Sequence, residues 1–246
     1  SIIERDLSAS QFCFLVTFEG ESPRLKLENI TFRNGGGATY SPLGGAINFY
    51  SDNDEETQQT LELLNCSFEN NQSLNIAGAI YCYAGLIAEG CTFKNNKSRE
   101  GAAIYTEWAD VPDQTIRLIN STFENNENTN ASTITIWQGY GDIIIDGCTF
   151  KNNVAKRAVS CISVFGELYG PDNEYQKLVI TNTNFIDNEA LDDYVGLAPK
   201  GIIGVMYADD ADVYIYNCLF DGNTAVNEYP TFTCYGYHTF VANYNT

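Results

Sequence analysis

Apolar and polar residues alternate over short stretches that recur along the chain. They are LKLENITFRNG (25–35), LELLNCSFENN (61–71), LIAEGCTFKNN (86–96), IRLINSTFENN (116–126), IIIDGCTFKNN (143–153), LVITNTNFIDN (178–188) and VYIYNCLFDGN (213–223). Their phenylalanines, Phe32, Phe68, Phe93, Phe123, Phe150, Phe185 and Phe220, lie 25 to 36 residues apart. A period of two sends alternate side chains to one face of a strand. Leu25, Leu61, Leu86, Ile116, Ile143, Leu178 and Val213 therefore form one inward column. Leu27, Leu63, Ala88, Leu118, Ile145, Ile180 and Ile215 form a second, and the phenylalanines a third. The positions between them, such as Lys26, Glu62, Arg117 and Tyr214, read as an outer face.

Three residues before each Phe stands Asn29, Asn65, Gly90, Asn120, Gly147, Asn182 or Asn217. Asn and Gly enter the left-handed backbone region at low cost, so every unit is expected to bend there. Three after each Phe stands Gly35 and then Asn71, Asn96, Asn126, Asn153, Asn188 and Asn223. These are read either as an amide ladder running up stacked coils or as ordinary polar turns. A second strand follows at GGAINFY (44–50), AGAIYCY (77–83) and GAAIYTE (101–107), and more loosely at 132–138, 160–166, 201–207 and 231–237. Helix-period segments with caps are absent. Short strands and tight turns stacked in register make an all-β solenoid, a right-handed single-stranded parallel β-helix of about seven to eight coils. One domain over 1–246 is expected, with a cap or first coil at 1–24, repeated coils at 25–223 and a terminal coil or cap at 224–246.

The pairing of Phe-x-x-Asn with Gly-Gly-Ala-Ile resembles the polymorphic membrane protein repeats of chlamydial autotransporters and of similar surface proteins in some protists. Six Phe-x-x-Asn units are complete, from Phe68–Asn71 to Phe220–Asn223, and Gly44–Ile47 is a full Gly-Gly-Ala-Ile. The resemblance implies a right-handed β-helical passenger that mediates adhesion at a cell surface. No stretch reads as a transporter barrel, so the sequence is not expected to be a complete autotransporter.

The 246 residues carry 13 basic and 32 acidic side chains, a formal charge of −19. That balance disfavours nucleic acid and anionic membrane as partners. No apolar run is long enough to cross a bilayer, and Ser1–Ser10 lacks a signal-peptide pattern, so a leader has been removed or the sequence is an excised piece. Eight cysteines without zinc spacings point to an oxidising, extracellular setting. Cys66, Cys91, Cys148 and Cys218 share the column two before Phe, and Cys82, Cys161 and Cys234 follow three of them in the second strand of the same coil. Cross-core bonds Cys66–Cys82, Cys148–Cys161 and Cys218–Cys234 are one reading, Cys66–Cys91 between coils a rival, and small buried thiols a third. Sequons stand at Asn29, Asn65, Asn71, Asn96, Asn120 and Asn130. Asn71 and Asn96 fall in the ladder column and Asn29, Asn65 and Asn120 at the bends. Asn130, in a loop, is the best acceptor.

Many β-helices act on polysaccharides, which requires clustered carboxylates or a calcium site with a basic proton acceptor. Gly-His-Gly and Arg-Ile-Lys signatures are missing, and the one histidine, His238, lies beyond the last full coil. Acid groups occur at Asp52, Asp54, Glu55 and Glu56, at Asp192 and Asp193, and at Asp209, Asp210 and Asp212, the last expected beside Asp187 of the previous coil. Asp52, Asp54 and Glu56, with Asn53, form a calcium candidate set against a solvated loop. No catalytic residues and no other cofactor are assigned. Tyr40, Tyr50, Tyr105, Trp108, Trp137 and Tyr140 are candidates for a sugar-stacking face. The expected function is a non-enzymatic structural or adhesive module at the cell surface, associating with copies of itself as a head-to-tail filament or with the rest of a larger protein. Its alternative is a glycan-binding or pectate lyase-like or polygalacturonase-like β-helix.

Overall fold

The computed structural model describes residues 1–4, 14–18, 24–36, 44–51, 59–107, 115–137, 141–157, 159–165, 177–191, 201–206, 212–226, 231–235 and 239–243. Every ladder among them is parallel, and the strands fall into four sheets. In each coil the alternating stretch forms a strand of the leading sheet, exemplified by Gly85–Glu89 and Ile143–Asp146. The Phe triplet, such as Thr92–Lys94, forms the Phe sheet. Two residues, such as Lys97–Ser98, form a narrow corner sheet, and Ile104–Thr106 belongs to the trailing sheet. The leading, Phe and trailing sheets have eight described strands each and the corner sheet five. This is a parallel β-helix with the expected number of coils. Among the described residues no helix is long and apolar enough to cross a membrane.

The bends arise where the sequence places them. Asn29, Asn65, Asn120, Asn182 and Asn217 have φ between 47 and 55°, and Gly90 and Gly147 have φ near 64°. Glycine replaces asparagine for a visible reason. A Cβ on Gly90 would come within 2.5 Å of Asn65 Oδ1, and one on Gly147 within 2.3 Å of Asn120 Oδ1, because the asparagine one coil back already occupies that space. A second left-handed position follows each Phe triplet at Asn34, Asn70, Asn95, Asn125, Asn152, Asp187 and Gly222. Bends on both sides hold the Phe sheet to three-residue strands.

Leu61, Leu86, Ile143, Leu178 and Val213, with Leu63, Ala88, Leu118, Ile145, Ile180 and Ile215, are buried as the alternation requires. Phe32 through Phe185 are at most 1 % exposed, and Phe220 is half-buried. Successive rings stack at centroid separations of 4.6 to 5.1 Å with interplanar angles of 3 to 10°. The coil repeat is longer than the ~3.5–4 Å contact distance of carbon atoms, so the rings slide into offset stacks, the arrangement their quadrupoles favour. Each buried Phe removes enough apolar surface for about 1.5–3 kcal/mol.

The asparagine column is an amide ladder. Asn96 Nδ2 donates to the Phe68 carbonyl at 2.9 Å and to Asn126 Oδ1 at 3.1 Å. Asn96 Oδ1 accepts from Asn71 N and Nδ2, both at 3.0 Å. Two donors and two lone pairs are all used, which exhausts the amide's capacity. Asn126, Asn153 and Asn188 repeat the pattern. The column begins at Gly35, whose N–H donates to Asn71 Oδ1 at 2.8 Å and whose Cβ would lie 2.2 Å from the Gly45 carbonyl.

The cysteines depart from the cross-core expectation. Cys66, Cys82, Cys91, Cys148, Cys161 and Cys218 are buried free thiols, and the side chain of Cys234 lies outside the described residues, as does Cys13. In the column before Phe each thiol donates to a leading-strand carbonyl of the preceding coil: Cys66 to Leu27, Cys91 to Leu63, Cys148 to Leu118 and Cys218 to Ile180, at 3.3 to 3.6 Å. Ser121 Oγ does the same toward Ala88, at 3.3 Å. Thiol and hydroxyl are thus interchangeable hydrogen-bond donors under the bend, and a thiol engaged there is turned along the stack, not across the core to Cys82 or Cys161.

Candidate functional site

The ladder asparagines and the bend thiols are engaged along the stack, which leaves the outer rows as the place for a candidate site. On the trailing sheet the register carries Ile47, Ile80, Ile104, Ile134, Ile162 and Ile203 as one inward column. The third residue after Ile80, Ile104, Ile134 and Ile162 points outward. In consecutive coils these are Tyr83, Glu107, Trp137 and Phe165, and the amides of Tyr83 and Glu107 donate to Phe49 and Cys82 of the coils before them. Trp137 is 38 % exposed and stacks on half-buried Phe165 at 4.6 Å. Tyr81 hydroxyl donates to Glu107 Oε2 at 2.7 Å, fixing the carboxylate beside the indole row. Burial, then the Glu107 carboxylate, push the Tyr81 phenol above its ordinary pKa, so it stays a donor. An aromatic face next to an oriented carboxylate suits stacking plus hydrogen bonding to a polyhydroxylated ligand.

Among the aromatic residues proposed for sugar stacking, Trp137 is on this row. Tyr105 is not available: it is 6 % exposed and packs outside the trailing sheet with Ile76, Ala77 and Tyr81. The outward positions Asn48, Tyr81, Tyr105, Thr135 and Ser163 are all buried, so this sheet is covered on both faces along that column. Tyr40, Trp108 and Tyr140, and the Tyr50 side chain, lie outside the described residues. Sequence reasoning missed Tyr83, Glu107 and Phe165. The signal was the constant offset of three from the strand isoleucine.

The sequons separate by burial. Asn29, Asn65 and Asn120 are exposed on the bend between leading and Phe sheets, Asn130 is half-buried, and Asn71 and Asn96 are fully enclosed ladder members. The acidic groups do not converge. Asp187 sits after the Phe strand, its amide donating to the Asp221 carbonyl, whereas Asp212 opens a leading strand in register with Lys177. The two are at different corners of the coil, contrary to the expected juxtaposition. Asp52, Asp54, Glu55, Glu56, Asp192, Asp193, Asp209, Asp210 and His238 lie outside the described residues, so the calcium candidate does too. Among the described residues no three His, Cys, Asp or Glu side chains are grouped to hold a metal ion.

The described carboxylates instead serve the stack. Lys156 and then Lys97, at 2.5 and 2.8 Å, hold the Glu127 carboxyl below its usual range. Thr181 Oγ1 and Asn182 Nδ2, both at 2.7 Å, do the same for Asp146.

Residues 65–83 and 90–107 match the model of the Chlamydia polymorphic membrane protein repeat. Each matched stretch runs from the Asn or Gly bend through the Phe triplet and amide ladder into the trailing strand. No curated protein and no solved structure matches the chain.

Proposed function

We propose that the chain is a non-enzymatic rod at a cell surface that displays its outer rows to an adhesion partner. One observation carries this reading: the ladder asparagines, Phe stack and bend thiols are all spent on joining coil to coil, which leaves the variable outer positions for recognition. The match to a membrane-protein repeat supports the surface location. The test is attachment of chain-coated beads to cultured cells, scored against albumin-coated beads, alongside incubation with pectin and other polysaccharides. Attachment with unchanged polysaccharide chain length is the expected result; depolymerisation without attachment overturns the reading. End-to-end self-association through the terminal coils belongs to the same reading, and electron microscopy over a concentration series detects it as axially repeating fibres.

The Tyr83–Glu107–Trp137–Phe165 row favours a glycan as the adhesion partner. Binding on a glycan array that is lost in Trp137→Ala, with thermal unfolding unchanged, supports this; an empty array removes it.

A further inference from the structure

The column two residues before Phe is occupied, coil by coil, by Ile30, Cys66, Cys91, Ser121, Cys148, Thr183 and Cys218. Thiols in consecutive coils occur here once. Cys148 lies between Ser121 and Thr183, and its amide donates to Thr183 Oγ1 at 3.2 Å. Cys218 follows Thr183. Cys82 is in register with Phe49 and Thr106 on the trailing sheet, and Cys161 is paired with Ser160 Oγ.

Cys66 and Cys91 are stacked neighbours, joined by a Thr92 N–H donated to the Cys66 carbonyl at 2.9 Å. Parallel strands lie about 4.8 Å apart, inside the roughly 4.4–6.8 Å window of Cα separations that a disulfide spans. The two side chains also share a direction, since each thiol donates to the equivalent carbonyl one coil back, Leu27 for Cys66 and Leu63 for Cys91. The two thiols influence each other: Cys91 draws the Cys66 pKa down, while Cys66 and burial push Cys91 up.

We propose that Cys66 and Cys91 are a disulfide site that staples the second repeated coil to the third when the chain meets a small-molecule disulfide. The Cys66 thiolate attacks one sulfur of the oxidant, forming a mixed disulfide and releasing one thiol. The Cys91 thiolate then attacks Cys66 Sγ and releases the second thiol. The protein loses two protons and two electrons, and both end on the two small thiols. With Cys66 2 % and Cys91 1 % exposed, the exchange takes place while these coils are open, during folding or local unfolding.

The test uses the full chain, purified reduced and refolded with or without a mixture of reduced and oxidised glutathione. Non-reducing peptide mapping is expected to show Cys66 linked to Cys91 with Cys148, Cys161 and Cys218 alkylated as free thiols. Thermal unfolding should rise by about 5–10 °C and return on adding dithiothreitol. Cys91→Ser, which places at 91 the residue that Ser121 already is, keeps the fold and abolishes the rise; Cys148→Ser leaves it intact. Linkage of Cys66 to Cys82, or Cys66 and Cys91 remaining fully alkylatable after refolding in oxidant, overturns the proposal.

Discussion

Two buried asparagines two residues apart in one coil have opposite energetic roles. Asn126 uses all four of its hydrogen-bond positions, and Asn128, equally enclosed, uses none: its Oδ1 and Nδ2 have no partner. Removing the Asn126 side chain leaves the Asn96 backbone N–H without its acceptor and takes one partner each from Asn96 Nδ2, the Phe93 carbonyl and Asn153 Oδ1, at about 1–3 kcal/mol for a group left unsatisfied. Asn126→Ala should therefore destabilise by about 3–5 kcal/mol in denaturant unfolding. Asn128 shares its column with Ala155 and Ala190, so Asn128→Ala should be neutral or stabilising by about 1 kcal/mol in the same experiment. The ladder also separates the sequons. Secretion from a eukaryotic host should yield glycan on exposed Asn65 and Asn120 and none on Asn71 or Asn96 in folded material, read by glycopeptide mass spectrometry. The ladder and first bend were legible because one residue type returns at one offset from Phe. The second bend was hidden because an Asn-Asn pair reads as a single polar turn, although its first member turns the chain and its second is buried. The bend cysteines were open to three readings, of which the structure shows the buried thiol, because side-chain direction, which spacing does not encode, aims each at a carbonyl one coil back.

At the scale of the element, the Phe sheet carries a column of alternating sign on its outer face. Glu4, Arg33, Glu69, Lys94, Glu124 and Lys151 are in register on consecutive strands, with ion pairs at Arg33–Glu4 (2.6 Å) and Lys94–Glu124 (2.9 Å). Exposed pairs contribute little to stability singly, but like charges directly opposite are unfavourable, so the alternation penalises a slip by one coil. Glu69→Lys, between Arg33 and Lys94, should cost about 0.5–1.5 kcal/mol at low ionic strength and much less in high salt. On the leading sheet, Asp146 has a folded pKa below its unfolded value. Its contribution is present above the unfolded pKa and lost as pH falls through the folded one. The stability gap between the native chain and Asp146→Asn should therefore shrink as the pH falls from neutral through and below the ordinary aspartate range, measured as a denaturant midpoint. The corner sheet was invisible in the sequence, since two residues are too few to show alternation. The burial of the trailing sheet's outer face was equally hidden, because alternation records only which residues face the core.

For the whole molecule, the conserved unit of length is local. From leading strand to corner sheet each later coil uses the same span, 86–98, 116–128, 143–155, 178–190 and 213–225, and all variation in coil length falls between corner and leading strands. Stacking depends on that shared span, which presents the same Phe ring, Asn amide and bend to its neighbours above and below. In those three columns any coil offers its neighbour the same partners. Unequal crossing-over at equivalent codons preserves that frame: fusing Phe93 directly to Glu124 removes one whole coil and keeps the Phe, Asn and bend columns continuous, though it sets Glu69 beside Glu124 in the charge column. Rod length is thus set by how many coils are encoded, while the leading–Phe–corner frame stays the same in each.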